Sequence, residues 1–144
     1  MSERLLDPIG GQAAIVEIDM LVFFMCCSVT LHAIQNKQWK LILSGLLLGY
    51  LTETASIRFG GTHCHASGLL NFSECSSANS ILYYVPWIYS GITCGRRLVS
   101  EKSPAFPFIC GLLFFLICGI YGCQGPTMRW WLWYVVRARS IPQI

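Results

Sequence analysis

Charge is what this chain has least of. Only 12% of its 144 residues are Asp, Glu, Lys or Arg, against a hydrophobic fraction of 54% and a mean hydropathy of +0.54. Soluble domains carry roughly twice that share of charge, so the shortage excludes an ordinary soluble protein. The net charge of +3 collects on no amphipathic face, which excludes a nucleic-acid surface. Histidine is scarce too, with three residues, too few for the several His-rich boxes of a membrane di-iron hydroxylase or desaturase. No C-x-x-C or H-E-x-x-H spacing offers a metal site. There is no G-x-S-x-G elbow, and the glycine pairs lack the strand–turn–helix context of a nucleotide loop. No cofactor or metal is expected. Residues Met1 to Gln12 lack a basic n-region, which argues against a cleaved signal peptide.

What is present is apolar and comes in runs, with charged residues at their edges, the pattern of a polytopic membrane protein. The expected fold is all-α, a single integral membrane domain over 1–144 with about four transmembrane helices near 15–34, 41–59, 80–95 and 105–123. A polar loop over 60–79 and an interfacial tail over 124–144 complete it. The polar connector Gln35 to Lys40 is so short that the second helix must return beside the first. Ser44, Gly45 and Gly49 form a small-residue stripe suited to close packing. Pro86 falls inside the third run and predicts a kink or break. Gly111, Gly119 and Gly122 would let another helix approach the fourth. The tail, rich in tryptophan, ends at Ile144; it reads either as a shortened version of a longer chain or as an amphipathic segment on the membrane surface.

Eight cysteines suggest a disulfide scaffold at first sight. Six of them lie in or at the ends of apolar runs, where cysteine behaves as a small hydrophobe. Only Cys64 and Cys75 occupy the polar loop, so one disulfide is the most the pattern supports. The same loop carries Asn71-Phe72-Ser73, an N-glycosylation acceptor. With the tail left out, Lys37, Lys40, Arg96, Arg97 and Lys102 lie on the opposite side, against Arg4 and Arg58 on the loop's side; the tail's Arg129, Arg137 and Arg139 run against this count. This bias places the 60–79 loop in the lumen or outside the cell, on an endomembrane or the plasma membrane.

The chemistry concentrates in residues 52–65. Glu53 lies about 18 Å along a helix starting at Leu41, past the bilayer midplane. A carboxylate there costs a few kcal/mol and needs protein or water around it. It reads either as a proton donor or acceptor for a lipid-soluble substrate, or as half of an interhelical hydrogen bond or ion pair. Arg58 is about 140° further round the helix and is expected to pair with Asp19 of the first helix instead. His63 and His65, with Tyr83, Tyr84 and Trp87, are candidates for the lining or rim of a pocket.

Glu53 followed by Phe59-Gly60, then Tyr83-Tyr84-Val85-Pro86-Trp87, then Gly125-Pro126-x-Met128 with Trp131-x-Trp133, loosely resembles the layout of membrane-embedded carotenoid-hydratase-like proteins. It is also similar to animal multi-pass membrane proteins with a histidine–cysteine loop. The first resemblance implies a helix bundle in which an intramembrane acid, here Glu53, protonates a polyene. The residues themselves favour a structural or interaction component of the bilayer, whose partners are lipid, other membrane proteins or a second copy of the chain. The alternatives are an enzyme acting on an isoprenoid or lipid through Glu53, and a small proton-coupled carrier.

Overall fold

The structure, a computed structural model, describes residues 11–56, 59, 63–65, 69–73, 76–128 and 131–133. Helices dominate it: α1 (Gly11–Gln35), α2 (Trp39–Ala55), a short α3 (Ala78–Leu82), α4 (Tyr84–Leu98) and α5 (Phe106–Thr127). Four short strands accompany them: β1 (His63–His65), β2 (Asn71–Ser73), β3 (Ser76–Ser77) and β4 (Trp131–Trp133). The fold is all-α, and the strands only fasten one end of it.

Two helices, Ala13–Gln35 within α1 and Phe106–Thr127, are long and apolar enough to cross a membrane. At 17 residues α2 sits at the lower limit for a span, and α4 has 15. The expectation of four spans is therefore met in helix number, while length and apolarity single out two. Both apolar helices keep large side chains outward, Leu21 and Phe24 on α1, Phe108 and Phe115 on α5. A helix apolar on all sides belongs in a core or a bilayer.

The α1–α2 turn is built by its backbone. Lys37 takes φ +56°, its N–H bonds to Ile34 O, and the N–H of Gln38 reaches back to Ala33 O. This pair of bonds is a Schellman cap, which satisfies the last carbonyls of α1 and reverses the chain. At the same end His32 Nδ1 meets the buried Tyr89 hydroxyl at 2.5 Å, fixing α1 to α4.

The third run is divided, but not at Pro86. The break falls at Tyr83, between α3 and α4, and Pro86 sits in the first turn of α4. Proline is tolerated there because first-turn N–H groups have no partner within the helix. The carbonyl that Pro86 cannot bond, Leu82 O, instead accepts the Cys26 thiol at 3.2 Å. Beyond the break α4 is the central helix, burying Val85, Trp87, Tyr89, Gly91 and Gly95 between its neighbours.

Helices that cross with their backbones close together need small residues at the contact. Gly45 and Gly49 of α2 carry out that role. A β-carbon on Gly45 would lie 2.9 Å from the Val85 Cα, and one on Gly49 would lie 2.5 Å from the Ile81 carbonyl oxygen. On the other side Gly91 and Gly95 admit Cys110 and Phe114 of α5. Among the described residues nothing packs against the α5 glycines expected to admit another helix: Gly111, Gly119 and Gly122 face open space. Above these crossings Val22, Cys26, Tyr83, Val85 and Trp87 form the core, flanked by Leu46, Phe114 and Tyr121.

The segment expected to be an interfacial tail begins inside α5, which continues to Thr127. Its Trp131–Trp133 portion pairs antiparallel with His63–His65, with Cys64 opposite Leu132. The α-helical part of α2 ends at Ala55, and Ser56 and Phe59 are still helical in the wider π form, so helical backbone is present at the expected end, 59.

Gly49→Ala should destabilise the protein by about 1–3 kcal/mol, because backbone cannot yield as a side chain can. Gly119→Ala, with nothing near it, should be neutral or slightly stabilising, since alanine is the better helix former. Thermal melts of both variants in detergent, followed by circular dichroism, would measure the contrast; equal melting temperatures would contradict it.

Candidate functional site

Gly45, Gly49 and Glu53 are the buried residues of α2, spaced four apart along one face. The stripe that brings α2 against α3 and α4 therefore carries Glu53 inward with it. At 1.5 Å per residue Glu53 lies roughly 21 Å above Trp39, and Asp19 roughly 24 Å above Gln35. The two carboxylates are level, on helices that run in opposite directions. Both are buried, at 5% and 8% exposure.

Each carboxylate has been given a partner from the loop. Glu53 Oε2 lies 3.1 Å from His65 Nε2, with His65 itself 8% exposed. An ionised carboxylate only accepts, which makes Nε2 the donor. Tyr84 neighbours both Glu53 and Thr52. Asp19 Oδ2 accepts the backbone N–H of Leu69 at 2.6 Å. Arg58, the partner expected for Asp19, lies outside the described residues.

Aromatic hydroxyls fill the space between the carboxylates. Tyr121 of α5 lies against Tyr83, their ring centroids 3.9 Å apart. Trp87 stacks on Tyr83 at 5.2 Å and meets Tyr121 at 5.3 Å. Trp87, expected at a pocket rim, is thus a core residue. Beside these rings a cavity of about 20 Å³ is bounded by Asp19, His65, Asn79, Tyr83 and Tyr121. That is room for about one water, with enough polar groups around it to hold one.

A second pocket, about 220 Å³, opens between α1, residues 69–70 and α3. Met20, Phe23, Leu69, Leu70 and Leu82 give it apolar walls, and Asp19 and Asn79 are the polar residues in its lining. Asp19 and Asn79 therefore border both spaces.

The loop over this layer is held from three directions. Cys64 is disulfide-bonded, while Cys26, Cys27, Cys94, Cys110, Cys118 and Cys123 are free thiols; Cys75 lies outside the described residues. Asn71 pairs with Ser77 across β2 and β3. Ser77 caps α3 by accepting the Ser80 N–H. The His63 side chain lies outside the described part, although its backbone pairs with Trp133.

The sequence alone pointed to Glu53, His65, Tyr83 and Tyr84, and the structure brings these four together with Asp19. It gave no sign of Tyr121, Asn79 or the Leu69 N–H. Glu53→Gln and His65→Ala should be strongly coupled. Removing the imidazole leaves a buried charge, costing about 3–5 kcal/mol, whereas the double variant should lose less than the two singles added together. A double-mutant cycle on melting free energy measures this, and additivity within about 0.5 kcal/mol would show the pair to be independent.

No family model, no curated protein and no solved structure matches the chain.

Proposed function

We propose that the chain is a multi-pass integral membrane protein that crosses the bilayer with all four long helices and serves as a structural or interaction component. The observation that carries this reading is the Glu53–His65 bond at 3.1 Å between two buried groups. Through that bond the carboxylate is engaged as a clasp between α2 and the loop. Outward apolar faces on α1 and α5 suit lipid, and the uncovered Gly111, Gly119 and Gly122 suit a neighbouring helix.

The loop side is lumenal or extracellular. Two features support that orientation, the disulfide at Cys64 and the exposed Asn71 in an acceptor sequence; with the tail left out, the connectors at the opposite end also carry more lysine and arginine than the loop side.

A second reading is a membrane enzyme acting on a lipid. A carboxylate, an imidazole and tyrosine hydroxyls in one enclosed layer are an acid–base set, as proton transfer to a lipid-soluble substrate requires. In this reading Glu53 supplies the proton, as the likeness to carotenoid-hydratase-like proteins implies.

Glu53→Gln separates the two. A clasp predicts a lower melting temperature and a reduced cellular level; a catalytic acid predicts an unchanged level. For the topology, the protein should resist alkaline carbonate extraction and show a glycosidase-sensitive mobility shift that disappears in Asn71→Gln. Labelling of the loop from the cytosol alone would reverse the orientation.

A further inference from the structure

Asp19 is the group that the clasp leaves unexplained. It is a carboxylate at 8% exposure in the first apolar helix, and its hydrogen bond is to a single backbone N–H, that of Leu69. No lysine, arginine or histidine forms an ion pair with it among the described residues. One N–H is little compensation for a charge held away from water. Asn79, also 8% exposed, borders the same pocket, and among the described residues its Nδ2 is buried with no hydrogen-bond partner. An acceptor-only group and an unpartnered donor thus stand together at the polar end of an otherwise apolar space of about 220 Å³.

The walls of that space face outward. Met20, Phe23, Leu69 and Leu70 are between 42% and 71% exposed, so the pocket is entered from the side, where lipid chains lie in a spanning bundle. It is smaller than the usual small-molecule site of about 300–1,000 Å³. It therefore holds the head and first carbons of a longer chain whose remainder stays in the bilayer.

We propose that this pocket binds a long-chain lipid amino alcohol. Its ammonium pairs with Asp19, and its neighbouring hydroxyl accepts a hydrogen bond from Asn79. The charge selects the class. A carboxylate or phosphate head would be repelled by Asp19, and a neutral head would leave the buried charge without a counter-ion. An ammonium supplies three donors and no acceptor, matching the carboxylate, and the hydroxyl supplies the acceptor that the amide nitrogen lacks.

The proposal rests on the membrane reading above, and the two fail separately. A chain released by carbonate extraction would remove the membrane reading. A chain that stays in the membrane but shows no selective binding would remove the pocket alone.

The test uses the full chain in bilayer nanodiscs with a diazirine-bearing long-chain 2-amino-1-alkanol, alongside the same chain ending in a plain alcohol or a carboxylate. The amino alcohol should crosslink to the peptide containing Met20 and Phe23, about tenfold or more above both other probes. Asp19→Asn should lower labelling to the level of the plain alcohol. Leu70→Trp, a change at an exposed wall residue that leaves Asp19 intact, should block labelling while preserving the melting temperature. Equal labelling by the plain alcohol, full labelling of Asp19→Asn, or crosslinks spread evenly over α1 and α5 would overturn the assignment.

Discussion

The close approach of α2 to the chain around residues 81–85 is the constraint from which most of this structure follows. At Gly45 and Gly49 there is no room for a β-carbon, so the two backbones touch. Contact that close fixes the rotation of α2 about its axis. One turn beyond Gly49, the same face presents Glu53 to the interior. A different rotation would turn the carboxylate out of the bundle and away from His65. Packing and electrostatics therefore specify the same orientation from opposite ends of one helical stripe.

The polar layer above that contact is assembled from nearly every element. Asp19 comes from α1, Glu53 from α2, Asn79 from α3, Tyr84 from α4 and Tyr121 from α5, and His65 enters from the loop. Low dielectric strengthens each bond within such a group and penalises any member left without a partner. Glu53 meets that demand with an imidazole. Asp19 meets it with one amide. The two carboxylates are level and differently served, which is why one reads as a clasp and the other as a binding group.

How legible all this was from the sequence depended on the range of the interaction. Helices announced themselves through run length and edge charges, and the i, i+4 spacing of Gly45, Gly49 and Glu53 already contained the inward direction of the carboxylate. The break near Pro86 was foreseeable in kind, although its position was not. Proline dictates that one carbonyl goes unbonded, and the place where the chain bends depends on what satisfies that carbonyl, here a thiol 56 residues earlier. Contacts across long separations left no trace. Nothing in a tryptophan-rich tail reveals that it pairs with a histidine–cysteine segment, because a three-residue strand is too short to show alternation. The glycines of α5 left their partner open for a related reason. Small residues permit contact, but they do not say which helix makes it.

The pairing of β1 with β4 joins the beginning of the loop to the far end of α5. His65, which serves Glu53, lies in β1, and β4 is the last described element in the chain. The carboxylate is made early in synthesis, yet the strand that steadies its partner arrives only after α5 has been laid down. Assembly is therefore closed from the C-terminal side. Until that final strand docks, the growing bundle must tolerate an acid whose cover is incomplete, and the order of synthesis itself delays completion of the polar layer.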